Sequence, residues 1–574
     1  MAKMNVLTMQ GDVLVIGGGL AGCWAAYQAS EAGSKVIIVD RGKISRSGKS
    51  SFSGASILCP LPEDDLDVWH KEMASKGDYL SDQDWIPVIL QEIPARIKAM
   101  EVMGIEFERD KNGKLIRTVG LAHKVTRMVN LNSLHMIETF KKKLLQKGVR
   151  IIEKTMITSL LTADGAFPTK SRVCGAIGFN INDGSPIIIN AGAVVTATGA
   201  TGIFDQSGDG IAQALRAWTE TMNMEFGLMW GMDFAGKYGG IHLNTWQRLG
   251  MYLRNAKGER FMQRYEPEQM ERAYRKQLGP AIAMEYLEGR GPVYVDVTHI
   301  GSDNLNKLRT LFTTREQIKA MEKDGLDLSK DKIQVHTVTG HINIDRGGIK
   351  HNLYCETAVP GLFVAGEAGG YPVHGTYSVG GVNLATCCIE GFRSGEYSSK
   401  YARELGVAPI NKAQTKILTD QISLPLKNKK GKNPDMLREE FCSFISPANI
   451  SIFRTGKSLK KALKGIRELQ DETSNLKAKD WLEVMKAHKM KNLLLCAEII
   501  FSVELMREES RGSHIRLDYP YRDNANWLKW IITSMNEKNG LALRTLPVPV
   551  YRYPTRPDKY VKEPFPMPLP EAEI

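Results

Sequence analysis

The chain has 574 residues, of which 43% are apolar and 24% charged. That excludes a small binding module and a disordered chain, and suits roughly three or four domains. Its net charge of +12 favours an anionic cofactor, substrate or protein partner; no nucleic-acid-binding signature accompanies the charge, and no nucleic-acid role is expected. No window is long and apolar enough to span a membrane, and Met1 to Gln10 is too short and polar for a secretion signal, so a cytoplasmic protein is expected. Eight cysteines contain no C-x-x-C pair, which argues against a disulfide framework, a self-ligated iron–sulfur cluster or any other metal site.

In chain order, Asp12-Val-Leu-Val-Ile16 is a β-rich run ending in Gly17-Gly-Gly-Leu-Ala-Gly22, followed by a helix-like Cys23 to Glu31 and a second strand, Lys35 to Asp40. Gly17 permits the tight turn and Gly19 lets the backbone approach a pyrophosphate. Gly22 lets helix pack on strand, and the helix start around Ala21 offers unpaired N–H groups to the anion. Asp40 stands where a carboxylate accepts hydrogen bonds from ribose hydroxyls. Gly192 to Gly199 is a strand ending in Ala197-Thr198-Gly199, and Gly361 to Gly370 is a third strand and turn. The three segments together resemble those of flavoproteins with a discontinuous dinucleotide fold, which implies FAD. Ser458 to Glu508 has lysine-rich helical periodicity, and prolines crowd the chain after Leu546.

Further segments sharpen the resemblance: Ser207-Gly-Asp-Gly210, Gly258 to Tyr265, Glu288-Gly-Arg-Gly291, His374-Gly375 with Gly380-Gly381, and Glu509 to His514. On these the chain resembles the flavoprotein subunits of succinate dehydrogenase and fumarate reductase, with adenylylsulfate reductase and L-aspartate oxidase as relatives. The resemblance implies an α/β fold: a Rossmann-like FAD-binding domain (1–236 and 342–405) interrupted by an α+β capping domain (237–341). A helical domain (406–540) and a Pro-rich extended tail (541–574) follow. Asp209 and Glu367 would hold ribityl or ribose hydroxyls, Asn383 and Leu384 would face the flavin ring, and Arg41, Ser47 and Gly54 would line the cofactor path. Arg275 falls on the family's proton-delivering arginine, with Lys276 where the family has aspartate. His336 falls on its substrate-orienting histidine.

The departures are equally informative. The histidine that bonds the flavin is here Gly48, so the FAD is expected to be non-covalent. In His374-Gly-Thr-Tyr-Ser378 the arginine that clamps a substrate carboxylate has become Ser378, and Trp230 replaces a second substrate histidine. A C4 dicarboxylate would lose about two charge-assisted contacts of roughly 1.5 to 3 kcal/mol each. Trp230, Trp246, Tyr238 and Tyr377, with His374 and Ser378, therefore suggest a flatter or more apolar small-molecule substrate. The function implied is hydride transfer at a polarised double bond, with electrons exchanged with an iron–sulfur subunit or ferredoxin-like protein. Two alternatives are an adenylylsulfate-reductase-like reaction and a non-catalytic flavin electron relay.

Overall fold

The computed structural model describes residues 6–570 apart from 54, 121–122, 203–205, 228–231, 233, 235–236, 239–242, 312–313, 337–343, 345, 378 and 539. At its centre, parallel strands run in the spatial order Arg150–Ile152, Val36–Val39, Leu7–Ile16, Pro186–Thr196. On the far side of Pro186–Thr196, Leu362–Val364 pairs in parallel with one half and Val173–Asn180 antiparallel with the other; Thr155–Thr162 forms the edge. The discontinuity expected from the sequence is thus physical, since residues 362–364 join a sheet begun by residues 7–16.

Successive strand side chains point to opposite faces, and here both faces are buried. Val13, Val15, Ile38 and Val195 pack under the helices Leu20–Glu31, Trp85–Met103, Ser133–Gln146 and Val382–Leu405. Leu14, Ile16, Ile37 and Val194 pack under Asp209–Arg216, Pro434–Ile445, Gly456–Glu472 and Trp481–Met506. Burial on two sides explains the unbroken apolar run Val13-Leu-Val-Ile16. The helices after residue 406 are therefore the second cover of the sheet.

Two expectations about the end of the chain are corrected. Helix stops at Met506, and Lys529–Met535 and Leu541–Pro547 form an antiparallel hairpin whose first strand also pairs with Thr221–Met222. Residues 541–547 are a strand, so the extended tail starts after Pro547; alternating Trp530 and Ile532 face a small apolar cluster with Val548 and Tyr553. Farther on, Lys562–Pro564 pairs with Tyr521–Asp523, and Phe565, Met567 and Leu569 pack on the core of the interrupting segment. That segment has three antiparallel strands, Tyr252–Arg254, Val293–Asp296 and Ile333–Val335. With them go the helices Arg275–Leu287, Ser302–Thr310 and Arg315–Lys323, around Trp246, Leu253, Ile282 and Val295. Among the described residues no helix is long and apolar enough to cross a membrane.

The helices Leu20–Glu31 and Val382–Leu405 meet without side chains between them: a Cβ at Gly391 would press on the Ala21 carbonyl and Trp24, and one at Gly395 on the Ala25 carbonyl. Gly391→Val should destabilise the holoprotein by about 1 to 3 kcal/mol, read as a lower urea midpoint, whereas Gly301→Ala, where an added Cβ meets nothing and the backbone is extended, should cost less.

Candidate active site

The first glycine turn is built to near-zero clearance. Gly17 has φ +109°, and a Cβ there would enter the Ala197 carbonyl, while one on Gly22 would enter the Gly17 carbonyl. The helix Leu20–Glu31 starts at Gly19 with no side-chain cap, and Ser50 Oγ accepts from Leu20 N–H at 3.0 Å. Asp40 sits beside this turn, accepting from Gly18 N–H at 2.7 Å and Gly42 N–H at 2.6 Å, with Ser47 Oγ at 3.3 Å. A dinucleotide pyrophosphate suits this place, where backbone N–H groups and the helix dipole converge.

The next turn supplies Ala197, whose N–H donates to Ile16 O at 2.8 Å, and Thr198 and Gly199. Thr198 Oγ1 and Gln206 Oε1 are buried without a hydrogen-bond partner among the described residues. Such orphans are costly unless a ligand satisfies them, so they fit a bound cofactor. Glu367 is held by Lys49 Nζ at 2.9 Å, Gln206 Nε2 at 3.1 Å and Ala200 N–H at 3.4 Å. Burial works to raise its carboxyl, but Lys49, Gln206 and the Ala200 N–H together outweigh that and keep it below the usual range. Asp209 accepts from Arg41 at 2.8 Å, Ser207 Oγ at 2.8 Å and Asn492 Nδ2 at 2.8 Å. Arg41 thus lines the path by tying down Asp209. At Gly48, φ +77°, an added Cβ would meet nothing; the position has room for a side chain and carries none.

The uncapped N-terminus of Val382–Leu405 begins at Gly381, φ +81°, and carries Asn383 and Leu384 in its first turn. The positive end of this 24-residue helix favours negative charge in front of it. The preceding glycine is fixed from outside, Gly380 N–H donating to His123 Nε2. Burial lowers the His123 pKa to about 4, consistent with a neutral acceptor. His374 is fully buried with both ring nitrogens unpartnered among the described residues, and burial, reinforced by Arg346, holds its pKa well below the usual histidine range. It is a neutral imidazole.

Arg275 opens the helix Arg275–Leu287, whose N-cap is Tyr274. Lys276 pairs with Asp78 at 3.2 Å, and its ammonium lies 5.9 Å from the Tyr274 ring centre and 5.6 Å from that of Tyr377. The two tyrosines meet edge to face at 5.0 Å, and the Arg346 guanidinium lies 5.4 Å from Tyr377. The interrupting segment and the segment 374–384 therefore meet where Tyr274 and Lys276 pack on Tyr377, next in sequence to Arg275.

Asp78 is the pivot. Its carboxylate accepts from Thr376 Oγ1 and Lys276, its carbonyl accepts from Arg511 Nη1 at 3.0 Å, and Arg522 lies 3.8 Å away. Asp78 and Tyr79 both have left-handed φ, +52° and +61°, a strained pair for non-glycine residues. Burial pushes the Asp78 carboxyl up, but Lys276, Arg511, Thr376 and Arg522 together hold it below the usual range. Arg511 is itself anchored on Glu509, which also accepts from Arg507, all three fully buried. The motif Glu509 to His514 is thus the internal brace behind Asp78.

His336 is exposed at the end of Ile333–Val335, 2.9 Å from Gln334 Nε2, its ring edge to face with Tyr286 at 5.5 Å. Tyr286 lies eleven residues along the helix from Arg275, about 16 Å of rise. Trp246 is a fully buried core residue and Tyr238 donates to Asp324 at 2.8 Å, so these two are not walls of the Arg275 cluster. Trp230, Ser378 and Gly54 lie outside the described residues. Sequence reasoning missed Lys49, Lys76, Asp78 and Arg346. Lys49 stood inside a segment already singled out, whereas the other three carry no signal until the chain is folded.

Comparison with known proteins agrees with this geometry. A family model described as FAD binding domain matches residues 12–384, and one described as fumarate reductase flavoprotein C-term matches residues 444–560. One subunit of fumarate reductase (CoM/CoB) from Methanothermobacter marburgensis is 30% identical over 89% of this chain and 94% of its own length. A fumarate reductase flavoprotein subunit of Mycobacterium tuberculosis is 28% identical over 96% of this chain and 99% of its own. Among solved structures, Mycobacterium smegmatis Sdh1 superimposes with a TM-score of 0.83 at 27% identity, covering 96% of each chain. Adenylylsulfate reductase of Archaeoglobus fulgidus shares the fold, with a TM-score of 0.77 at 18% identity over 95% of this chain and 97% of that one.

Gly22→Ala should purify with roughly tenfold less flavin or lower still, read as the visible-to-ultraviolet absorbance ratio. His123, neutral when folded, binds its proton more readily once unfolded; stability should therefore fall as pH drops from about 6.5 towards about 4. Urea midpoints of wild type should decline over that range relative to those of His123→Gln, which keeps an acceptor without a titrating group.

Proposed function

We propose that this chain, which belongs to the fumarate reductase and succinate dehydrogenase flavoprotein family, transfers a hydride at a polarised carbon–carbon double bond beside Arg275. It is an FAD-dependent oxidoreductase. FAD, when bound, supplies or accepts the hydride. The observation that carries the reading is that Tyr274 and Lys276, which flank Arg275 in the interrupting segment, pack on Tyr377, which precedes the uncapped helix at Gly381.

The chain's own residues divide the work. The glycine turns, Asp40, Asp209 and Glu367 grip the cofactor, and Gly48 in place of a bonding histidine leaves it non-covalent. The positive end of Val382–Leu405 favours the negative charge that reduction brings to the ring side it faces. Arg275 holds a proton at its guanidinium and delivers it to the carbon beside the one that receives hydride. Neutral His374, buried and with both nitrogens available, is suited to orienting a substrate oxygen. His336, edge to face with Tyr286, is a second imidazole suited to that role. With Ser378 in place of a clamping arginine, the substrate is other than fumarate. Electrons come from an iron–sulfur or ferredoxin-like protein: the net charge of +12 favours an acidic partner, and relatives are named as subunits. A cytoplasmic complex, peripheral to a membrane only through a partner, suits the chain.

Arg275→Ala should keep its flavin and lower the rate at which an enoate reoxidises the reduced protein by about a hundredfold or more, followed by stopped-flow bleaching and recovery. Unchanged turnover of the intact complex would favour the electron-relay reading. Reoxidation by adenylylsulfate alone would mark sulfur chemistry.

A further inference from the structure

Lys76 is the last residue of the helix Leu66–Lys76, next to the turn that carries Asp78. Its ammonium lies 4.8 Å from the centre of the Tyr274 ring, which caps the helix bearing Arg275. Among the described residues no carboxylate pairs with it. The two acids nearest are already spent: Asp78 on Lys276 and Thr376, and Glu72 on the backbone N–H groups of Lys124, Val125 and Thr126. Burial pulls the Lys76 amine below the usual lysine range, Lys276 and Lys124 adding to the effect and Glu72 opposing it. A half-buried ammonium among other cations, held on an aromatic face, is a charge whose solvation a bound anion would replace.

We propose that Lys76, at the Tyr274–Tyr377 edge of the site, holds the carboxylate of the substrate, and that the substrate is a monoanionic 2-enoate. Of the two ammonium groups beside the Tyr274 ring, Lys276 is paired with Asp78 at 3.2 Å, and Lys76 is the one left to take a carboxylate. An ammonium is a compact point charge, unlike the planar fork that Ser378 displaces, so a second carboxylate is not provided for. The inference depends on the hydride-transfer reading for its choice of ligand, but its test does not require turnover.

Crotonate, crotonamide and fumarate are titrated into the oxidised holoprotein, and the flavin absorbance is followed. Crotonate should give a saturable shift, with fumarate and crotonamide binding about ten- to a hundredfold more weakly, the gap a charge-assisted contact provides. Lys76→Ala should weaken crotonate by a similar factor, leave crotonamide as it is, and retain the wild-type flavin content and urea midpoint; Lys76→Arg should restore part of the loss. The subsite is overturned if crotonate gives no saturable shift, if fumarate binds as well as crotonate, or if Lys76→Ala affects acid and amide alike. A crotonate shift that needs Lys76, with no reoxidation of the reduced protein by crotonate, would uphold the subsite and overturn hydride transfer. Reoxidation that is indifferent to Lys76 would do the reverse.

Discussion

One buried carboxylate ties the working parts of this molecule together. The Asp78 carboxylate draws on Lys276 from the interrupting segment and Thr376 from the segment leading to the flavin-facing helix, while from the last third of the chain Arg511 donates to its backbone carbonyl and Arg522 lies 3.8 Å away. Those groups are separated by up to several hundred residues, and their common acceptor decides where Arg275 and Tyr377 stand relative to each other. Removing one partner of such a half-buried pair leaves a poorly solvated charge behind, so these contacts depend on one another. The two left-handed residues at 78 and 79 are what this convergence costs, and the fully buried Arg507, Glu509 and Arg511 hold them in place.

Below that junction the design is that of a sheet with no solvent face. One layer of helices carries the first cofactor turn, and the other comes from Asp209–Arg216 and residues 434–506. The cofactor cleft is shaped by backbone meeting backbone at Gly17, Gly22 and Ala197, and its charges are arranged in opposed pairs, Arg41 with Asp209 and Lys49 with Glu367. A crevice lined this way presents an anionic and a cationic partner at each side, which suits a ligand carrying both hydroxyls and phosphates.

Much of this was legible in the sequence because it rests on local rules. The Gly17 to Gly22 turn and the unbroken apolar run Val13 to Ile16 each follow from neighbours a few residues away, and the turn lies at the end of that strand as expected. The hairpin at 529–547 escaped because lysine and proline content near it outweighed a short alternating pattern, and its pairing partner Thr221–Met222 is three hundred residues distant. His336 shows what counting along a motif leaves open: the register with a family pattern assigns the residue a place, and the structure adds only that the strand Ile333–Val335 pairs with Val293–Asp296 and sets its ring against Tyr286. Lys76 and Arg346 had no local signature, since a lone cation acquires meaning only from the rings and charges that folding sets around it.

The packing of Phe565, Met567 and Leu569 onto the core built by residues 246–335 has a consequence for biogenesis. The apolar interior of the interrupting segment cannot close until residue 567 has cleared the ribosome, although most of its wall is made halfway through synthesis. That half-finished surface must wait, exposed, for some two hundred residues of translation, and it is there that a chaperone would find its binding site on the nascent protein.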